Sequence, residues 1–348
     1  MSNGYYISMI FERLDKLSKV VAVDLGTSMT RVWVGGQGLV VEQPSFLAVD
    51  VTSQRILSIG LDAQQMMGRT AANVQVFRPI QQGQLWDTTV AKAFLQALLR
   101  EILGKSFFNP TLVLSVPAGI KPAVEEETVQ LGYDLGAREV LTVAQPLAAA
   151  IGAGMPVVDA TGGFILQLGA GINEAAAISL GSLVGVESSY QAGEQFEEQV
   201  ISTLKTTKKI SISRETAGQL IAGLATLSDT ELAPVLVTGK QQKTAVPKEI
   251  ELTTADLTEP TQLMAESYVA LVKKLLTKVP TELTVDIVDK GLLLSGSGAK
   301  LKGLDEYLVP KLGVPVSVVD EPEQAVIRGM GTILNHLDEY RASLGQQS

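Results

Sequence analysis

The sequence predicts an α/β fold built from two similar domains. Three observations predict it. Short apolar runs alternate with amphipathic helical stretches along most of the chain. A glycine-punctuated segment near the start recurs near the middle. The length of 348 residues suits two domains at about 150 residues each.

Residues 1–19 stand apart. Tyr6, Ile7, Ile10, Phe11, Leu14 and Leu17 recur at helical spacing, with Glu12, Arg13, Asp15 and Lys16 on the other face. This spacing predicts an amphipathic helix. The period then changes. Three short strands follow, near 20–23, 31–34 and 39–41, joined by glycine turns. Next come a helix over 87–103, a strand over 112–116, a helix over 124–135, a strand over 140–143 and a helix over 146–153. The second copy of the opening segment begins at Gly163. Leu25-Gly26 matches Leu168-Gly169 and Gly38 matches Gly181, a constant offset of 143 residues. Helices are predicted near 194–204 and 214–227, then a polar strand-rich insert over about 233–254 and a long helix over 256–278. The remainder reads as a strand over 292–295, a helix over 304–311, a strand over 314–318 and a helix over 323–337.

Composition narrows the chemistry. There are no cysteines and one histidine, His336. Disulfides, thiolate metal sites, cysteine nucleophiles and histidine-based triads are excluded. Carboxylates, backbone amides, or a bound metal or cofactor must carry any reaction. The net charge of −9 argues against nucleic acid as a partner. Hydrophobic residues make up 46% of the chain. Even so, the longest uncharged stretch, Val140–Val158, contains Gln145, Pro146, Gly152, Gly154 and Pro156. A span needs about 20 mostly apolar residues, so this stretch reads as strand, helix and turn. No secretory signal is evident, and the expected compartment is the cytoplasm.

Three turns follow apolar strands: Asp24-Leu-Gly-Thr-Ser-Met-Thr30, Gln167-Leu-Gly-Ala-Gly-Ile-Asn173 and Ser295-Gly-Ser-Gly-Ala299. Small residues let backbone N–H groups converge on an anion without a lysine. One such turn is ordinary punctuation. Three of them, two in matched repeat positions, point to phosphate.

At this point the chain resembles the MreB family of bacterial actins. The resemblance rests on VDLGTSMTRVWVGGQGLVVEQPS, VFRPIQQGQLWD, LSVPAG, GAREVLTVAQPLAAAIGAGMPV, LGAGINEAAAISLGSLV, AGEQFEEQVI, KGLLLSGSGAKLKGLDEYL and VPVSVVDEPEQAVIRGMG. It implies an actin-like fold of two ribonuclease-H-like domains, each with an inserted subdomain. The first domain would run over 20–157, with an insert at about 46–77. A C-terminal helix over about 323–348 would complete it. The second would run over 158–322, with an insert at about 194–260.

The resemblance also implies a bound ATP or ADP with Mg²⁺. Gly26, Thr27 and Ser28 would hold phosphates, and Asp24 would order the water shell of the metal. Gly169, Ala170 and Gly171 would form the second phosphate turn. Gly193 and Glu194 would lie near the ribose, and Gly296, Ser297, Gly298 and Ala299 behind the adenine. The departures from the family cluster here. Gln167 stands where the second turn normally opens with aspartate, and Ile172 replaces a hydroxyl residue. Val124 falls at the position of the water-orienting glutamate, with Glu125 one residue away. Ala217-Gly218-Gln219-Leu220-Ile221 loses both charges of an Ala-Glu-x-x-Lys helix. The expectation is weak or absent ATP hydrolysis and reduced nucleotide binding, because phosphoryl transfer depends on positioning and electrostatics. Arg31 has two readings, a cation that reaches phosphate or an exposed strand residue, and the second is the expectation.

Membrane contact is expected through Ile7, Ile10, Phe11 and Leu14 of the first helix and through Phe107 and Phe108. The resemblance further implies head-to-tail filaments, paired as antiparallel protofilaments, on the inner face of the cell membrane. Other bacterial actins or envelope proteins would be partners. The helix over 87–103 would face the partner strand, with most of Val90, Phe94, Leu95, Leu98 and Leu99 in the core. Two other functions remain open: an active ATPase of ordinary MreB type, and a non-polymerising adaptor with the actin fold.

Overall fold

The structure is a computed structural model, and it describes residues 19–104 and 109–340. The chain divides into two compact units. One holds the residues up to Gly152 and those from Val326 onward; the other is Ala153–Ala325.

The first unit opens on a meander. β1 (Val20–Leu25), β2 (Met29–Val34) and β3 (Gly38–Pro44) pair antiparallel in sequence. A small sheet follows, made of β4 (Leu47–Asp50), β5 (Arg55–Ile59) and β6 (Val74–Phe77) in the order β5-β4-β6. It carries a short helix, Gly60–Gln65. A tight hairpin joins β7 (Ile80–Gln81) to β8 (Gln84–Leu85). Its two turn residues, Gln82 and Gly83, have φ of 51° and 74°, as a two-residue hairpin turn demands. β9 (Thr111–Val116) and β10 (Glu139–Ala144) then add in parallel, giving the order β10-β9-β1-β2-β3.

Helix Thr88–Leu103 starts where the Asp87 carboxylate accepts from the N–H groups of Thr89 and Val90. Its Phe94, Leu95, Leu98 and Leu99 are buried against Val21, Val23, Leu112 and Leu114. The apolar pattern of that helix is core, with Val90 only partly buried at its edge.

The second unit repeats the plan. β11 (Gly163–Leu168), β12 (Asn173–Ser179) and β13 (Ser182–Ser189) form the second meander. β14 (Ile210–Ser211), β15 (Val235–Gln241) and β16 (Pro247–Leu252) form a separate three-stranded sheet. β17 (Leu292–Ser295) and β18 (Val316–Val318) complete the main sheet in parallel, in the order β13-β12-β11-β17-β18. Each main sheet is therefore an antiparallel meander whose first strand gains two parallel strands. The internal sequence repeat corresponds to a repeat of topology. The second core packs Phe164, Leu166, Leu292 and Leu294 against Leu220, Met264, Val272 and Leu308.

Most predicted elements lie within a few residues of the observed ones. Three differences stand out, and the first two have clear causes. The long helix is shorter than expected, Thr258–Leu276, because Thr254–Asp256 is a separate turn closed by a Thr253–Asp256 capping box. A further helix, Thr281–Lys290, restarts after Pro280 and stops at Gly291, whose φ is 78°. The last helix is broken into Ala325–Asn335 and Leu337–Tyr340, after a short turn at Pro322–Gln324.

Candidate functional site

The first turn is closed by backbone. The Gly26 N–H donates to the Met29 carbonyl at 3.1 Å. A Cβ on Gly26 would lie 2.6 Å from that carbonyl oxygen, so the closure requires glycine. Ser45 pins the turn from β3's far end: its hydroxyl donates to the Gly26 carbonyl at 2.7 Å and its N–H to the Ser28 carbonyl at 2.9 Å. The Thr27 hydroxyl accepts the Gly83 N–H at 2.9 Å, which docks the β7–β8 hairpin onto the turn. Ser28 is exposed at the tip.

Asp24 is buried just ahead of this turn. The Ser115 hydroxyl donates to its Oδ1 at 2.7 Å, and Gln145 Nε2 donates to Ser115 at 3.3 Å. Its other oxygen faces Arg31, with Nη1 4.0 Å from Oδ2. Arg31 in turn donates from Nε and Nη2 to Glu42 Oε1 at 2.9 and 2.7 Å. The pairing register explains the row: Asp24 lies opposite Arg31 across β1–β2, and Arg31 opposite Glu42 across β2–β3. Burial pushes the Asp24 carboxyl above its ordinary range, while Arg31 and the Ser115 hydroxyl pull it back. The expectation of an exposed Arg31 is corrected here. Its side chain is 8% exposed and held between two carboxylates.

These surroundings leave Asp24 able to serve Mg²⁺ only through the ion's waters, as the resemblance implies. That ion takes octahedral oxygen ligands, keeps several waters and is usually held by one or two carboxylates together with substrate phosphates. Here one Asp24 oxygen is engaged by a hydroxyl donor and the other faces a permanent cation. Among the described residues, no three Asp, Glu, His or Cys side chains gather to hold a metal.

Val124 lines a small, mainly apolar cavity with Leu25, Ile80, Ser115 and Thr128. Glu125, the alternative acid, is held elsewhere: the Thr142 hydroxyl donates to its Oε1 at 2.6 Å.

The second turn, in the other unit, closes like the first. The Gly169 N–H donates to the Ile172 carbonyl at 3.2 Å, and a Cβ there would lie 2.5 Å from that oxygen. It donates also to Asn173 Oδ1 at 3.0 Å, while Asn173 Nδ2 donates to the Gln191 carbonyl at 2.7 Å. The Gly193 and Glu194 N–H groups open helix Gly193–Thr207. They donate back to the Gly169 and Ala170 carbonyls at 3.1 and 2.8 Å, so these two amides brace the turn. Gln167 is buried, in register with buried Glu174 on β12. The Ser188 hydroxyl donates to Glu174 Oε1 at 3.1 Å. Arg214 restores charge near the altered 217–221 stretch, reaching Glu194 at 3.5 Å, Glu197 at 3.6 Å and Glu198 at 2.5 Å.

The third turn leans on the second within the same unit. Gly296 has φ of 82°, and a Cβ on it would lie 2.3 Å from the Leu168 carbonyl oxygen. Its N–H donates to the Pro322 carbonyl at 2.7 Å. Gly298 also sits against Leu168, Ala299 is buried and Ser297 is exposed.

Sequence reasoning missed Ser115, Gln145, Ser45, Glu42 and Gly83. All five lie inside stretches that carry the resemblance. The expected membrane residues Ile7, Ile10, Phe11, Leu14, Phe107 and Phe108 lie outside the described residues. No described helix is long and apolar enough to cross a membrane.

Two meander-plus-parallel sheets, each ending its first strand in a glycine-closed turn, define an actin-like protein. Solved structures share this fold. The chain superposes on MreB5 of Spiroplasma citri bound to AMPPNP with a TM-score of 0.87 at 24% identity, covering 94% of this chain and 98% of that one. It superposes on a MamK double helical filament with a TM-score of 0.75 at 18% identity, covering 91% and 99%. The chain belongs to the MreB/Mbl protein family, whose model matches residues 18–342. It is 33% identical to the cell shape-determining protein MreB of Escherichia coli K12, over 94% of this chain and 96% of that protein. It is 30% identical to the cell shape-determining protein Mbl of Bacillus subtilis, over 92% and 96%.

Proposed function

We propose that this chain is a cytoskeletal filament protein of cell-shape type that binds nucleotide and hydrolyses it poorly. The full-length family match supports the cytoskeletal role. A structural neighbour that is itself a filament supports self-association. Neighbours bound to AMPPNP and ADP support nucleotide binding.

One observation carries the weak hydrolysis: the second turn keeps its glycine closure while Gln167 stands at its head. An amide neither takes a proton nor adds negative charge as a carboxylate does. Val124 lining the cavity, with Glu125 held by Thr142, removes the second acid. Loss of one well-placed electrostatic group costs about 10²–10³ in rate. The phosphate donors would be the amides and hydroxyls after the closing glycines: Thr27 and Ser28 on one turn, Ala170 and Gly171 on the other. Gly26 and Gly169 themselves spend their N–H groups on closure. Membrane association at the inner face of the cell membrane is part of the proposal, supported by the amphipathic pattern of residues 1–18 and by Phe107-Phe108. Many weak membrane contacts on one filament bind firmly together.

Electron microscopy with and without ATP, beside a phosphate-release assay, tests this reading. Filaments in both conditions with little phosphate release are expected. Turnover at ordinary actin-like rates overturns the weak-hydrolysis part, and absence of filaments under all conditions overturns the cytoskeletal part. Liposome pelleting should be lost on deleting residues 1–18 together with Phe107→Ser and Phe108→Ser; unchanged pelleting overturns the membrane part.

A further inference from the structure

One end of the small sheet β14-β15-β16 is strongly basic, in a chain whose net charge is −9. Six lysines gather there: Lys205, Lys208, Lys209, Lys240, Lys243 and Lys248. Backbone bonds and strand register bring them together. The Gln242 N–H donates to the Lys209 carbonyl at 3.1 Å, and Gln242 Nε2 donates to the Lys205 carbonyl at 2.8 Å. Lys240 lies opposite Ser211 on one side and Pro247 on the other, and Lys248 lies opposite Gly239. All six are exposed. Lys208 pairs with Asp256 at 2.7 Å, and none of the other five pairs with a carboxylate among the described residues. No Asp or Glu occurs between Glu198 and Glu215, or between Glu231 and Glu249. Val246 stands in the turn between β15 and β16 and is 56% exposed. Main-chain bonds order that turn: the Gln241 N–H donates to the Val246 carbonyl at 3.0 Å and the Ala245 N–H to the Gln241 carbonyl at 2.9 Å.

We infer that this end of the sheet is a docking surface for an anionic lipid bilayer, separate from residues 1–18 and Phe107-Phe108. Unbalanced ammonium groups held side by side repel one another, and an anionic partner relieves the repulsion. Three observations select a bilayer among anionic partners. First, the free cations are all lysine. Arg214, the one arginine between Arg138 and Arg328, is held by Glu194, Glu197 and Glu198. Lysine is a flexible point charge that follows a mobile anionic surface. Protein interfaces instead enrich arginine and deplete lysine. Second, no aromatic residue lies between Phe196 and Tyr268, so nothing in the insert stacks on bases. Third, the exposed apolar Val246 stands amid the charges, placed to enter the boundary between headgroups and acyl chains. A cluster of this many lysines is the pattern that holds acidic headgroups.

The inference shares with the reading above only that the partner is a membrane, and the test separates the two. The full chain is pelleted with vesicles of phosphatidylcholine and with vesicles of phosphatidylcholine mixed with phosphatidylglycerol, each at low and high NaCl. Binding to the anionic vesicles should be at least about tenfold tighter at low salt, and that preference should vanish at high salt. Equal binding to both vesicles overturns the inference and leaves the membrane reading standing. No binding to either overturns both. Each lysine near an anionic surface is worth about fivefold. The variant K240Q/K243Q/K248Q should therefore lose at least about tenfold on anionic vesicles and bind neutral ones as the wild type does. A smaller loss overturns the role of the patch. The variant K240R/K243R/K248R keeps the charge and should bind anionic vesicles as the wild type does; a loss equal to that of the glutamine variant overturns the electrostatic reading. Without vesicles, the glutamine variant should form filaments as the wild type does. Loss of those filaments assigns the patch to an acidic face of a second copy and overturns the lipid reading.

Discussion

The two meanders share backbone and differ in charge. In the first, the residues across the strands read Asp24, Arg31 and Glu42, an acid, a base and an acid. In the second they read Gln167, Glu174 and Ser188, an amide, an acid and a hydroxyl. The first row therefore encloses a buried cation between two acids, and the second row has an amide and a hydroxyl in the flanking places. The third strands differ too. Glu42 is answered from inside its own meander, by Arg31. Glu187 is answered from outside, by Lys274 and Lys278 of helix Thr258–Leu276. A duplicated scaffold thus fixes where the paired positions lie, while their electrostatic content is set separately in each copy.

The strongest test restores the missing acids, one in each unit. Gln167→Asp with Val124→Glu should raise phosphate release by about 10²-fold, the scale of well-placed electrostatic groups. An unchanged rate would mean that these positions do not limit hydrolysis. A sharper test of equivalence is to alter both closures alike. Gly26→Ala and Gly169→Ala each drive a Cβ to 2.6 or 2.5 Å of a carbonyl oxygen. Each should cost about 1–3 kcal/mol in thermal unfolding, and the two losses should match.

A smaller effect separates the third strands by pH. Burial works to raise the Glu187 carboxyl, but the two lysines outweigh it and hold it below the usual carboxylate range. The folded protein therefore favours the ionised form. Its contribution is complete above the ordinary pKa near 4.5 and disappears as pH falls through the lowered value. The lysines approach from the solvent side, so the contribution is about 1 kcal/mol after screening. Glu187→Gln should lower the unfolding midpoint at neutral pH and leave it nearly unchanged in strong acid. Smallest of all, Arg214→Ala, on a partly exposed cluster, should cost about 0.5 kcal/mol and diminish in high salt.

The parts legible in the sequence are those that local chemistry dictates. Leu25-Gly26 and Leu168-Gly169 announced themselves because a backbone closure that tight admits only glycine. The cores were legible because Phe94, Leu95, Leu98 and Leu99 recur at helical spacing. Arg31 was not legible. Its place beside Asp24 follows from hairpin register, and its grip on Glu42 from a second register across a bulge between Val32 and Trp33. Linear spacing carries neither directly. The small sheet of β4, β5 and β6 escaped because its strands are short and β5 is largely exposed, with no clean alternation. Helix Thr281–Lys290 escaped because Pro280 reads as an ending, although proline equally precedes a start.

One feature of the turns reaches beyond binding. Both are closed by main-chain groups, Gly26 to Met29 and Gly169 to Ile172. The side chains at 167, 172 and 124 take no part in those closures. A lineage could therefore exchange them one at a time without unfolding the protein. Fold and site chemistry are separately heritable here, so a change in one need not cost the other.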